Sequence, residues 1–203
     1  MRREGGRGWG SLPRAFIALG SNLDPERHIP AALRLLAERV RLVAVSTFYT
    51  SRALPPPQEG PDDLRSHSDR EESGPLDRPE QPDFYNGAVE IDTDLPPHEL
   101  KYAVLREIEA ALGRRRGADK YAAREIDLDL IWYDNLVVNE PDLILPDPEI
   151  AARPFLAVPL AELAPDLFPA ATAPADLRPL TGFTARLRKE LLDEPREGTE
   201  AHP

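Results

Sequence analysis

Residues 124–133 read R-E-I-D-L-D-L-I-W-Y. Large apolar and acidic side chains alternate over 125–133, and successive side chains of an extended chain point to opposite faces, so the stretch reads as a strand. Ile126, Leu128, Leu130 and Trp132 then share one face, and Glu125, Asp127, Asp129 and Ile131 the other. At about 3.3 Å of rise per residue, Asp127 and Asp129 stand roughly 7 Å apart on that second face. This strand decides the fold because it closes a series.

Upstream, Leu100, Val104, Ile108 and Leu112 recur on one side of a helix over roughly 96–112, with Gly113 placed for a left-handed end. Before it, 84–93 (FYNGAVEIDT) alternates, with Tyr85, Val89 and Ile91 on the face opposite Phe84 and Asn86. Residues 41–49 (RLVAVSTFY) are β-branched and aromatic, a further strand. Asp24-Pro25 looks like the start of a helix whose apolar face is Ile29, Leu33, Leu36 and Val40, and Pro30 means that the helix either begins near His28 or is distorted there. Residues 14–19 (RAFIAL) form a first strand that ends in a turn at Gly20-Ser21-Asn22.

The order is β-α-β-β-α-β, which predicts an α+β, ferredoxin-like core: an antiparallel sheet with helices on one face and an open face where a site can sit. Beyond it lie a turn at Asp134-Asn135, a segment to Pro148, an apolar stretch over 155–163 and a short helix over 185–192. The expected organisation is a disordered extension over 1–13, one domain over 14–170, and a C-terminal extension over 171–203 with a disordered tail. Residues 57–80 carry eight acidic and three basic side chains with two large apolar ones, so they read as an inserted mobile loop.

The net charge of -11 argues against binding a nucleic-acid backbone, and no apolar run approaches the length of a membrane span. A cytoplasmic protein is expected. With no cysteine, thiolate chemistry and cysteine metal sites are excluded, which leaves oxygen or imidazole ligands.

Paired carboxylates on a sheet face repel unless a cation lies between them, and magnesium commonly joins one or two carboxylates to substrate phosphates. A bare D-x-D is more often the solvated face of an amphipathic strand, so spacing alone does not decide. The basic residues Arg114, Arg115, Arg116, Lys120 and Arg124 just upstream would suit polyphosphate oxygens. Neither GxxxxGK[ST] nor GxGxxG is present, so this would be a nucleotide site without a glycine cradle.

Taken in order, ALGSN (18–22), FY (48–49), QPDFYN (81–86), Glu109 before GRRR, R-x-x-DLDL (124–130) and LPDPEIAARPFLAVPLAELAPDL (145–167) resemble the 6-hydroxymethyl-7,8-dihydropterin pyrophosphokinase family of folate synthesis. The resemblance spans about 15–167, apart from the insertion.

It implies transfer of diphosphate from ATP to the pterin hydroxymethyl oxygen with release of AMP, by a protein expected to act as a monomer. Two Mg2+ ions would be held by Asp127 and Asp129. The pterin would stack between Phe84 and Phe155, with Asn86 reading its edge and Ser51 and Leu54 bordering the pocket. The resemblance gives catalytic roles to Arg114 and Arg124, and ATP contacts to Glu109, Arg116, Lys120, Tyr121, Leu130 and Arg153.

The chain departs from the family pattern at 120–124 (KYAAR), which lacks the usual tryptophan, and at Asp147, where a histidine is usual. An aspartate there repels a triphosphate, so Asp147→His is expected to tighten ATP binding. An unchanged or looser affinity refutes that expectation. The alternative reading is a catalytically weakened relative that serves as a pterin- or nucleotide-binding module.

Overall fold

The computed structural model describes residues 12–53, 81–115 and 122–193. In order they form β1 (Arg14–Ser21), α1 (Pro25–Ala37), β2 (Arg41–Val45), β3 (Tyr49–Ser51) and β4 (Phe84–Asp92). Next, α2 (Pro97–Glu99) and α3 (Arg106–Ala111) are joined end to end through a π-helical segment, Leu100–Leu105. Then come β5 (Asp127–Tyr133), the hairpin of β6 (Val138–Glu140) and β7 (Leu143–Leu145), and α4 (Pro154–Leu163). The chain closes with β8 (Arg178–Pro179) and α5 (Thr181–Arg188), which runs into a π-helical turn, Lys189–Asp193.

The main sheet has the strand order β5-β1-β4-β3-β8, with β2 also paired to β4, and its pairings are antiparallel. One face is buried under α1, the α2–α3 rod and α5. Ile17, Leu19, Val89, Ile91, Leu128 and Leu130 meet Ile29, Leu33 and Leu36 of α1 and Leu100, Leu105 and Ile108 of the rod. Each such side chain withdrawn from water contributes about 1.5–3 kcal/mol before entropy is counted.

The other face is not open along its whole length, as the sequence reading expected. The apolar stretch over 155–163 folds as α4 and lies on one half of that face, burying Phe16, Ala18, Ala88 and Ile131 against Leu160, Ala164 and Phe168. A helix apolar on most of its circumference has to cover something, and this half-face is what it covers.

A bulge in β5 makes that second core possible. Phe16 pairs with Trp132 and Ile17 with Leu130, so Ile131 is an extra residue and the alternation changes phase there. Trp132 therefore packs at 5.4 Å from Phe16 on the α4 side, and does not share a face with Leu128 and Leu130 as the strict alternation predicted.

Four boundaries also differ from the sequence reading. Gly20 and Ser21 belong to β1, in register with Asn86 and Tyr85, and the chain turns at Asp24 instead, at φ 48. The stretch over 41–49 splits into β2 and β3 because Val45 pairs with Val89 and Tyr49 with Asn86, which leaves one residue more than the ladder can hold. The C-terminal helix starts at Thr181, and its Phe183 and Leu187 enter the core of the helical face, so 171–193 packs as part of the domain. Pro13, placed in the N-terminal extension, accepts a hydrogen bond from the Thr93 N–H at 3.0 Å.

Candidate functional site

The half-face that α4 leaves uncovered forms a cavity of about 380 Å³. Its floor is Ala18 and Gly20 of β1, Phe84 and Asn86 of β4, and Asp127, Asp129 and Ile131 of β5. Ser51, Arg52 and Ala53 border one side, and Asp147, Glu149, Arg153, Phe155 and Leu156 the other. Small residues on β1 and aromatic and polar ones on β4 and β5 give one sheet a greasy end and a charged end.

The charged end is built from the backbone outwards. Gly113 takes φ 96, a value strained for other residues, and ends α3 with Arg114 N–H bonded to the Glu109 carbonyl and Gly113 N–H to that of Ala110, a Schellman turn. That turn swings Arg114 back over the helix it ends. There its guanidinium pairs with both Glu109 and Asp127. Glu109, only 2% exposed, also accepts the Leu128 N–H at 2.9 Å, which ties the helix end to β5 between the two aspartates.

Arg124 reaches the other oxygen of Asp127. Its backbone is fixed by Asn22, whose Oδ1 accepts the Arg124 N–H at 2.8 Å while its Nδ2 donates to Gln81 and to the Pro82 carbonyl. Asp127 is thus held between two guanidiniums. Burial opposes the charge on Arg114, yet Asp127, Glu109 and Asp129 outweigh it and raise its pKa.

Asp129 has no such pairing among its described contacts. Its surroundings push its carboxyl up to about 7, first through burial among protein atoms and then through repulsion from Asp127 and Glu109, against the pull of Arg114 and Lys101. The side chain still opens to water on the cavity side, so repulsion is the part of the shift that a bound cation would cancel. Among the described residues no cluster of three ligating side chains exists. Two hard carboxylate ligands that open onto the cavity fit an ion that takes its other ligands from phosphate and water.

At the aromatic end Phe84 and Phe155 both line the cavity. Asn86, buried on the floor, donates through Nδ2 to the Ser51 hydroxyl at 2.8 Å, which fixes the direction of its amide. The guanidinium carbons of Arg124 and Arg153 lie 5.7 Å from the ring centres of Phe84 and Phe155. Arg153 pairs with Glu149 at 2.5 Å, and Asp147 accepts the Glu149 N–H at 2.7 Å in a turn that folds its carboxylate against its own backbone.

Of the residues singled out in the sequence, Ser51, Phe84, Asn86, Arg124, Asp127, Asp129, Arg153 and Phe155 line one cavity, and Arg114 touches it through Asp127. Two are corrected. Leu130, expected on the ATP side, has its side chain in the core of the helical face because it precedes the β5 bulge and so points away from Asp129. Glu109, expected to face the nucleotide, lies beneath β5 and acts through Arg114 and the Leu128 N–H. Leu54, Arg116, Lys120, Tyr121 and the insertion over 57–80 lie outside the described residues. Asn22, read from sequence only as part of a turn, proves to hold Arg124. Its signal was ALGSN itself, where an asparagine follows a strand end directly.

Residues 16–165 match the family model described as 7,8-dihydro-6-hydroxymethylpterin-pyrophosphokinase (HPPK). The chain belongs to this family. It is 37% identical over 159 residues to a 2-amino-4-hydroxy-6-hydroxymethyldihydropteridine pyrophosphokinase of Pseudomonas aeruginosa, covering 77% of this chain and 83% of the relative. A Haemophilus influenzae protein of the same name is 35% identical over 156 residues, covering 75% and 82%. A crystal structure of an HPPK-DHPS in complex with substrates superposes with a TM-score of 0.53 at 11% identity, over 91% of this chain and 47% of that one, a likeness of fold. Among the described residues no helix is long and apolar enough to cross a membrane.

Proposed function

We propose that the chain transfers diphosphate from ATP to the hydroxymethyl group of 6-hydroxymethyl-7,8-dihydropterin, with release of AMP, and that the cavity across β1, β4 and β5 is where it does so. The observation that carries this reading is the joining of a paired-carboxylate end and a two-phenylalanine, one-asparagine end in a single cavity. We read the core as a ferredoxin-like β-α-β-β-α-β unit with a C-terminal extension.

The roles follow from the chemistry of each end. A flat, hydrogen-bonding heterocycle suits the space between Phe84 and Phe155, where stacking orients its plane and the amide of Asn86, held by Ser51, reads its edge. Asp127 and Asp129 would hold magnesium. The magnesium held there would supply positive charge against the phosphates and lower the pKa of the pterin hydroxyl, so that its proton is lost to solvent as the oxygen attacks the β-phosphorus and AMP leaves.

Arg114 and Arg124 grip Asp127 while no cation competes for its oxygens, and both are close enough to turn to phosphate oxygens once one does. Arg153, at the edge of the cavity, can close on the phosphate chain from the α4 side. Most of the rate would come from alignment and charge placement, since phosphoryl transfer asks little covalent work of the protein.

The test is direct. Purified protein with magnesium, ATP and the reduced pterin should release AMP only when pterin is present. ATP binding without pterin-dependent AMP would favour a binding module, to which Asp147 on the cavity wall lends some support.

A further inference from the structure

Between β2 and β3, residues 46–48 step out of the regular ladder, and each is held from a different part of the chain. The Ser46 hydroxyl accepts the Ala88 N–H at 2.8 Å. Thr47 donates to Glu162 of α4 twice, from its N–H at 2.8 Å and from its hydroxyl at 2.9 Å. Phe48 is held at both ends of its backbone by the C-terminal segment: its N–H donates to the Thr184 hydroxyl at 2.9 Å and its carbonyl accepts the Leu180 N–H at 2.7 Å. Arg188, one turn after Thr184, donates to the Val45 carbonyl and to Glu162, each at 2.8 Å.

This junction leads straight into the cavity wall. The Phe48 ring is buried so close to Gly87 that a Cβ on residue 87 would fall 2.8 Å from it, and Gly87 adjoins Asn86. Tyr49 pairs with Asn86 on one side and with Pro179 of β8 on the other. Two residues later, Ser51 holds the Asn86 amide. A shift of Phe48 therefore moves the Ser51–Asn86 pair, while the charged end hangs from Asn22, Glu109 and β5.

We propose that Thr184, supported by Arg188 and Glu162, is a positioning residue for pterin, and that the segment over 177–188, beyond the family match that ends at 165, sets the geometry of the pterin side without touching the cavity. The inference rests on reading the aromatic end as the pterin subsite. Thr184 is buried, so replacing its hydroxyl leaves the Phe48 N–H with no partner and lets β3 shift.

The experiment compares Michaelis constants for the two substrates in the full chain. Thr184→Val should raise KM for pterin about five- to tenfold and leave KM for ATP within about twofold, because displacements well short of an ångström already cost binding. Thr184→Ser, which keeps the oxygen, should restore the wild-type value. Arg188→Gln, at a partly exposed site that folding tolerates, should shift the same constant in the same direction by less, and carries the test if Thr184→Val fails to fold. Ile29→Val, on the buried face of α1, should lower the melting temperature with both constants unchanged.

Equal rises in both constants, no rise in either, or no rescue by serine would overturn the positioning role. If the wild-type chain makes no AMP, the proposed function has failed. A fluorescence titration of the dihydropterin into wild type and Thr184→Val then still decides the inference: a weakened Kd supports it and an equal Kd ends it.

Discussion

The two faces of the sheet are made from the same three strands, yet they solve opposite problems. Under α1, α3 and α5, β1, β4 and β5 present Ile17, Leu19, Val89, Ile91, Leu128 and Leu130 to close-packed apolar partners. On the other side the same strands present Ala18, Gly20, Asn86, Asp127 and Asp129 to a cavity, and only the half under α4 is closed. The helical face stores apolar burial, while the cavity face keeps Asp127 and Asp129 close enough to repel each other. Alternation with a period of two lets one strand serve both needs without compromise.

If this division is right, substitutions on the two faces should separate stability from activity. The largest effect on activity is expected for Asp127→Asn, with a loss of about a thousandfold in kcat/KM, or about 4 kcal/mol of transition-state stabilisation. A melting temperature near that of wild type is expected alongside it. Activity within tenfold of wild type would mean that the carboxylate pair is ordinary surface.

Leu33→Ala on the helical face should do the reverse, costing about 2–5 kcal/mol in a denaturant titration with both Michaelis constants unchanged. A selective change in either constant would show that the faces are coupled.

Phe84→Ala divides the cavity face itself. Losing a stacking partner worth about 1–3 kcal/mol should raise KM for pterin about ten- to a hundredfold while KM for ATP holds. A parallel rise for ATP would dissolve the distinction between the two ends.

The smallest effect concerns pH. The Asp129 carboxyl is raised from 3.8 to about 7 in the folded chain. Between those values the folded state holds a proton that the unfolded state has released, so stability falls as pH rises through this window and levels off above it. Unfolding midpoints at pH 4.5 and 7.5, without divalent cation, should show this slope, and Asp129→Asn or added magnesium should flatten it. A slope unchanged in Asp129→Asn would belong to another group.

Much of this was readable in advance. The apolar spacing of Ile29, Leu33 and Leu36 gave α1 its buried face, and the alternation over 84–93 put Tyr85, Val89 and Ile91 opposite Phe84 and Asn86. Gly113 ended its helix with the positive φ expected of it. What was missed depends on partners far along the chain. The phase change at Ile131 exists because Phe16 and Trp132 must both pack against Phe168, and nothing within β5 announces it. For Leu130 the strand alternation already gave the core face that the structure shows, whereas the burial of Glu109 against the Leu128 N–H depends on the pairing of α3 with β5.

By itself, then, the sequence determined which residues share a face, because side-chain period is a local property of the backbone. It put Asp127 and Asp129 side by side and Phe84 and Asn86 together before any tertiary contact was known. Only the tertiary structure decided that those two pairs line one cavity, that α4 walls half of it, and that Asn22 and Thr184 hold its two ends from 102 and 136 residues away. Hydrogen bonds across such separations form only after burial has brought the strands and helices together, and no local pattern in the chain encodes them.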